Sequence, residues 1–122
     1  MREIIFRGKR KHSDGKVSEW VYGSLSVMSG GGHAFIIDHN KDCIYEVDPS
    51  TVGQYAGLED CTNVMRIYEG DILKDTEHGD TAIVKYQGDG FVAKLMNGNE
   101  IGLAFISSEM KVIGNIHDGL KE

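Results

Sequence analysis

Hydrophobic residues occur along this chain in short runs, and the runs are separated by turns rich in glycine, aspartate and asparagine. No segment keeps apolar residues at positions i, i+3, i+4 and i+7 over eleven residues, so a long helix is not expected. Short strands with turns every eight to twelve residues predict an all-β barrel, roll or sandwich. The predicted strands cover residues 2–7, 17–27, 33–38, 43–47, 52–58, 64–68, 81–87, 91–96, 101–106 and 110–116.

Residue types at the breaks predict how these strands are connected. Gly88-Asp89-Gly90 and Asn97-Gly98 indicate hairpins, the second with a type I′ turn. Gly8 ends the first strand before a basic turn at 9–15, and a bend or bulge is expected at Gly23. Asp48-Pro49 and the segment 107–109 each predict one short helical turn. Residues 59–63 are expected to form a polar loop.

The composition fits one domain, because 122 residues with 40% hydrophobic residues can bury one modest core. The chain has 16 glycines and a single proline, which suits many tight turns and excludes a proline-rich linker. We expect residues 1–122 to form this domain, with N-terminal strands and a basic arm over 1–47. A barrel-like core is expected over 48–117, because the meander at 67–116 suits a small barrel.

The charge is unevenly distributed. Up to residue 16 the chain carries six cations against two acids, a local balance of +4, whereas the whole chain carries −6. An acidic body repels nucleic acid, so such binding is expected only through the basic arm, which is otherwise a solvated loop. The candidate nucleic-acid contacts are Arg2, Arg7, Lys9, Arg10, Lys11 and Lys16.

Cys43 and Cys61 are the only cysteines, and neither lies at zinc-ligand spacing. The sequence leaves open whether they form a disulfide with each other. The first residues lack the pattern of a secretory signal, because Arg7 follows directly on Ile4-Ile5-Phe6. A cytoplasmic location with reduced thiols is therefore predicted, and no apolar run is long enough for a membrane span.

Three segments together resemble the YopX family of small phage and prophage proteins: 52–58 (VGQYAGL), 67–72 (IYEGDI) and 112–116 (VIGNI). Residues 4–7 and 20–23 also resemble the N-terminal pattern of that family. The resemblance implies an SH3-like β-barrel or roll with an N-terminal strand extension, a bacterial cytosolic setting and no assigned catalytic residue. The residues that carry the motif are Gly53, Gln54, Tyr55, Gly57, Tyr68, Glu69, Gly70, Asp71, Gly114 and Asn115.

One loop and one single residue depart from the family pattern. The loop at 59–66 lacks the usual lysine and glycine, and His117 replaces an aromatic residue after the final Asn-Ile pair. The first difference affects the contacts that the loop makes, and the second affects any role of an aromatic residue at the end of the barrel.

No constellation of residues indicates catalysis, a cofactor or a metal. The glycines at 30–32 before His33 lack the lysine and the helix of a phosphate loop, so a hairpin turn is favoured. The carboxylates at 69, 71, 75, 77 and 80 do not have EF-hand spacing and indicate a turn with a solvated acidic surface. The five histidines are scattered, and His117-Asp118 would need a nucleophile nearby to act as a base.

Tyr55 and Tyr68 leave two alternatives open. They either fill the core of a small barrel or form an exposed aromatic groove that binds peptides or nucleobases. Gly53 and Gly57 beside Tyr55 indicate close backbone packing, which favours the core.

These observations favour a non-enzymatic accessory protein that forms a homo-oligomer or binds a phage or host protein through an exposed strand edge or loop. The alternative is nucleic-acid binding through the basic arm. A hydrolase or nuclease that uses the carboxylates near Asp71 is the third hypothesis.

Overall fold

The structure is a computed structural model that describes residues 4–28, 32–88 and 90–120. The described chain is all β apart from short helical turns, as predicted. It divides into two compact units, Met1–Tyr55 and Ala56–Glu122. The strands are β1 Phe6–Lys11, β2 Val17–Met28, β3 His33–Asp38, β4 Cys43–Val47, β5 Gly53–Glu59, β6 Arg66–Tyr68, β7 Asp71–Asp75, β8 Thr81–Gln87, β9 Gly90–Leu95, β10 Glu100–Gly102, β11 Met110–Asn115 and β12 Gly119–Leu120.

The first unit contains a closed barrel of four antiparallel strands. β1 pairs with β2, β2 with β3, and β3 with β4, and the ring closes where Arg10 of β1 pairs with Val47 of β4. Its interior is filled by apolar side chains that alternate with outward residues along the strands. The buried members are Val21, Ala34, Ile36 and Val47, with Phe6, Leu25, Tyr45 and Val52 packed against them.

Ring closure depends on the predicted bend at Gly23. Before this residue β2 pairs with β1, and beyond it β2 pairs with β3, where Ser24 lies opposite Ile37. Gly23 has a φ of +158°, and an added Cβ would lie 1.9 Å from the carbonyl oxygen of Ile37. The absence of a side chain therefore allows one strand to pair with two neighbours in turn.

The second unit contains an open antiparallel sheet with the order β10-β9-β8-β7-β11-β12, and β6 is the neighbour of β5. One face of this sheet covers the second core. The buried members of this core are Ala56, Ile67, Leu73, Ala82, Val84, Ala93, Leu103 and Met110.

Several predicted boundaries were wrong, among them the start of the strand predicted at 64–68, which begins at Arg66. The first strand does not end at Gly8 but continues to Lys11, because Gly8 is a packing position: an added Cβ would lie 3.0 Å from the Cβ of Val47. The predicted strand at 101–106 stops at Gly102, and helix α1 follows over Leu103–Ile106. A helical turn places residues i and i+3 on one face, so Leu103 and Ile106 can both pack on the core.

The hairpins at 88–90 and 97–98 are present, although the second has a different turn type. The Gly98 amide donates to the Leu95 carbonyl, and Leu95 in turn donates to Asn99. Gly98 has a φ of +91°, but Asn97 is not in the left-handed region that a type I′ turn requires at both positions. The connection is a type I turn followed by one left-handed residue.

The remaining local predictions either are confirmed or concern residues that the structure does not describe. The hairpin of β3 and β4 has the predicted bounds, and Asp48 caps a single 3-10 turn at Pro49–Thr51. A second 3-10 turn occupies Ser107–Glu109. Residues 1–3, the glycines at 30 and 31 and Asp89 lie outside the described residues.

We expect Gly23→Ala to lower the free energy of unfolding by about 3 kcal/mol, at the upper end of the usual effect of overpacking. Gly15→Ala is the matched control, because Gly15 also has a positive φ but has no atom within 4 Å of an added Cβ. It should cost only about 1–2 kcal/mol. Urea denaturation measures both, and equal losses would contradict the role of Gly23 in strand pairing.

Candidate functional site

The described cations of the N-terminal segment lie in β1 and in the β1–β2 hairpin and do not form a separate arm. Arg7 is only 6% exposed, and its guanidinium lies 4.5 Å from the centre of the Trp20 ring. The ammonium of Lys9 lies 5.4 Å from the same ring. Both contacts have cation–π geometry. Burial of Arg7 removes it from the surface that a nucleic acid could reach.

Arg10 is also engaged within the protein. Its guanidinium lies 5.0 Å from the centre of the Tyr45 ring and 3.7 Å from the Glu19 carboxylate. The Ser18 hydroxyl donates to that carboxylate, which is the main cause of a lowered Glu19 pKa. Lys11 and Lys16 flank the hairpin turn, and Arg2 lies outside the described residues. The structure thus separates the six candidate contacts into different environments.

The residues of the first motif segment lie in β5. Gly53 and Gln54 pair with Arg7 and Phe6 of β1, and the Tyr55 amide donates to the Ile5 carbonyl. Tyr55 is 7% exposed, and Tyr68 of the second segment is 5% exposed. Neither tyrosine forms an exposed aromatic groove. Gly57 also lies in β5 and has a positive φ.

The second and third motif segments meet in the second unit. Asp71 of β7 pairs with Asn115 of β11, and Gly114 pairs with Ile72. The Gly70 amide donates to the Val84 carbonyl, and the Gly70 carbonyl accepts from the Ile116 amide. Residues 68–71 and 114–116 therefore form one hydrogen-bonded junction between strands, with Glu69 in the turn.

Two buried polar side chains of this junction bind backbone amides. Asp71 is 1% exposed, and its carboxylate accepts a hydrogen bond of 2.8 Å from the Tyr68 amide. The Asn115 side-chain carbonyl accepts from the amides of His117 and Asp118. These hydrogen bonds give partners to backbone amides at the ends of strands. Asp71 and Asn115 therefore stabilise the turns in which they lie.

Sequence reasoning missed Asp60, which it placed in a polar loop. Asp60 is 1% exposed, and one oxygen accepts from the amide and the hydroxyl of Thr62. The other oxygen accepts a hydrogen bond of 3.0 Å from the Val112 amide. The Asp60 carboxylate therefore ties the loop to β11. The D-x-T spacing signals the local bond, but nothing in the sequence signals the bond to residue 112.

We expect Asp60→Ala to lower the free energy of unfolding by about 3 kcal/mol, because it leaves three part-buried hydrogen bonds from Thr62 and Val112 without their charged acceptor. Asp14→Ala is the control, since Asp14 accepts from the Lys16 amide in an exposed turn, and it should cost less than about 0.5 kcal/mol. Amide hydrogen exchange should show that Asp60→Ala weakens the protection of Val112. Unchanged protection would contradict the assigned bond.

Cys43 and Cys61 are both free thiols and half-buried. Among the described residues, no group of three or more His, Cys, Asp or Glu side chains could hold a metal ion. Among the residues that the structure describes, no helix has the length and apolar character needed to span a membrane.

Asp75 closes the turn between β7 and β8. Its carboxylate accepts the amides of Glu77 at 2.8 Å and His78 at 3.1 Å, and these bonds hold its pKa below the ordinary value of 3.8. The turn borders a cavity of about 640 Å³ that is lined on the strand side by Lys74, Lys111 and Ile113.

The lowered Asp75 pKa predicts an acid-side effect. Because the folded pKa lies below the unfolded one, the carboxylate stabilises the turn above about pH 3.8, and this contribution is lost as the pH falls through the folded pKa. An NMR titration of the Glu77 and His78 amides should give a midpoint below 3.8, and Asp75→Asn should abolish that transition. A midpoint at or above 3.8 would contradict this assignment.

The outer face of β2, β3 and β4 carries apolar side chains. Ile37 lies opposite Ile44, Phe35 is two residues from Ile37, and Met28 is diagonal to Phe35. Ile44 is 68% exposed and Met28 is 59% exposed. We call Met28, Phe35, Ile37 and Ile44 the apolar strip.

Polar residues border the apolar strip. Ser24 contacts the His39 ring at 3.0 Å, and the His33 ring contacts the Glu46 carboxylate at 2.8 Å. Beyond Gly23, β2 pairs only with β3 among the described strands, so its other edge lies open beside the strip. Exposed apolar patches with polar rims are typical of protein interfaces.

Comparison with known protein families gave a match. The family described as YopX protein matches residues 6–119, which cover most of each unit and all three motif segments. No curated protein matches the chain.

Proposed function

Since the chain belongs to the YopX protein family, we propose that it is a phage- or prophage-encoded accessory protein of the bacterial cytoplasm that acts by binding protein and not by catalysis. The apolar strip is the observation that carries this proposal. Its first partner is a second copy of the chain, because the same strip on two copies can pack face to face about a two-fold axis.

The physical support comes from two features of the strip. Ile44 and Met28 each expose more than half of their side-chain surface to water, and covering such a surface is favourable by about 25 cal/mol per Å². The open edge of β2 adjoins the strip and offers unpaired backbone groups, which a partner strand could bind. Both features lie within residues 24–47, so one interface can use them together.

The alternative of nucleic-acid binding through the N-terminal cations has less support. Arg7 is buried, and Arg7, Lys9 and Arg10 lie against aromatic rings of the first unit. Lys11 and Lys16 are the described cations of this set that contact no ring. Two lysines alone would give weak, salt-sensitive binding.

Self-association is tested by placing a charge in the strip. Ile44→Asp should raise the dissociation constant of the dimer about 100-fold, because the interface would bury an unpaired carboxylate. Val64→Asp is the matched control: Val64 is 77% exposed but lies in the second unit, away from the strip in sequence. Sedimentation equilibrium over a concentration series measures the three proteins.

A photo-crosslinking side chain at Ser26, an exposed position between Met28 and Ser24, provides a second measurement inside bacterial cells. We expect a cross-linked species of twice the chain mass that Ile44→Asp removes and Val64→Asp retains. A wild-type monomer at every concentration, together with no cross-linked protein of any mass, would refute protein binding through the strip.

A further inference from the structure

The part of β2 beyond Gly23 has one side without a neighbouring strand. Residues 24–28 pair with β3 at every position on their other side. The ladder between β2 and β1 ends where Gly23 lies opposite Phe6, so no described strand continues along the open side. Among the described residues, no backbone hydrogen bond of a turn, loop or cap involves this segment either. We call the open side of residues 24–28 the β2 edge.

The backbone of the β2 edge has hydrogen-bonding groups that β3 does not use. In an antiparallel ladder, successive residues direct their N–H and C=O groups alternately toward one neighbouring strand and then toward the other. About two or three of the residues at 24–28 therefore direct both groups away from β3. Such a row of donors and acceptors is complementary to the backbone of another extended polypeptide.

The β2 edge also lacks the features that usually protect a terminal strand. Protected edges are typically short, or they carry charged residues, proline or a bulge. The other terminal strands of the two sheets are short, since β6 and β10 have three residues each and β12 has two. The sequence at 24–28 is SLSVM, which contains no charged residue and no proline. This edge therefore remains able to accept a further strand.

The side chains along the β2 edge define what a further strand must carry. Leu25 and Val27 lie on the core side of the sheet, because their partners on β3 are buried. Leu25 packs against the core, whereas Val27 is 65% exposed. Alternation places Ser24 and Ser26 on the opposite side. A strand beside β2 would thus place alternate apolar side chains against Leu25 and Val27.

We propose that the β2 edge binds an extended segment of a different protein, which joins the sheet as a further strand and carries apolar residues at alternate positions. This inference rests on the proposed function, protein binding by the first unit, and names a second partner. A copy of the chain packed face to face on the apolar strip covers the outer face of the sheet and leaves its edge available. Main-chain hydrogen bonds supply the affinity, and contact with Val27 selects apolar side chains.

The probe is a capped seven-residue peptide of alternating valine and threonine, residues that favour extended backbone. It is added to the full chain, and NMR measures the hydrogen exchange of the amides at 24–28. Without peptide, the amides directed away from β3 should exchange fast. At a peptide concentration about ten times the dissociation constant, their exchange should slow about tenfold, in proportion to the ratio of bound to free protein. A peptide with a central proline should not slow it, because proline cannot donate to the ladder.

Substitutions of two valines of β2 test where the peptide binds. Val27→Glu should weaken peptide binding roughly tenfold or more, because the added strand would cover an unpaired carboxylate. Val27→Thr keeps the β-branched shape and should retain the affinity within about threefold. Val17→Glu is the matched control, since Val17 is 41% exposed but lies before Gly23, opposite Lys11. It should leave the affinity within about twofold, and thermal unfolding should show that all three variants are folded.

Four results would overturn the proposal. These are no slowing of exchange by the peptide, equal slowing by the proline peptide, equal losses in Val27→Glu and Val17→Glu, and slow exchange of all the amides at 24–28 before any peptide is added. Sedimentation equilibrium of the wild type without peptide measures self-association separately. A dimer that does not bind the peptide contradicts only this inference, whereas a monomer that binds it contradicts only self-association through the apolar strip.

Discussion

Side chains on a β-strand point alternately to two faces, and this constraint governs both units of the protein. Each sheet covers a core with one face only, because a chain of this length does not supply a second apolar layer for every strand. Alternation therefore leaves an outward set of residues on every strand. In the first unit this set includes Ile37 and Ile44, and in the second it includes Lys85 and Lys94. The apolar strip is what alternation presents opposite the core of the first unit.

A second recurring feature is the use of short polar side chains to close turns. Seven of the described aspartates and asparagines accept a hydrogen bond from the amide two positions later in the chain, which is the pattern of an Asx turn. This is where the protein uses much of its aspartate, since a chain of short strands has many turn amides without strand partners. The seven are Asp14, Asp38, Asp48, Asp60, Asp75, Asn97 and Asn115.

The pattern of neighbouring residues was sufficient to predict several strand bounds and the bend at Gly23. The run from Cys43 to Val47 is bounded by polar turn residues and was predicted to the residue, and Gly23 was recognised because a lone glycine in an apolar run indicates a bend. Non-local contacts were the source of two errors. Gly8 looked like a strand end because its packing partner Val47 is far away in sequence, and Asp60 looked solvated because the Val112 amide lies 52 residues later.

The charge of this protein illustrates why a sum along the chain differs from the charge of a surface. The net charge of −6 suggests an acidic body that repels polyanions. Several aspartates, however, lie in turns, where their carboxylates bind backbone amides, whereas lysines occupy outward strand positions. Turn chemistry and strand alternation thus place many acids at turns and several lysines on strands, with Glu100 of β10 opposite Lys94 of β9 as an exception.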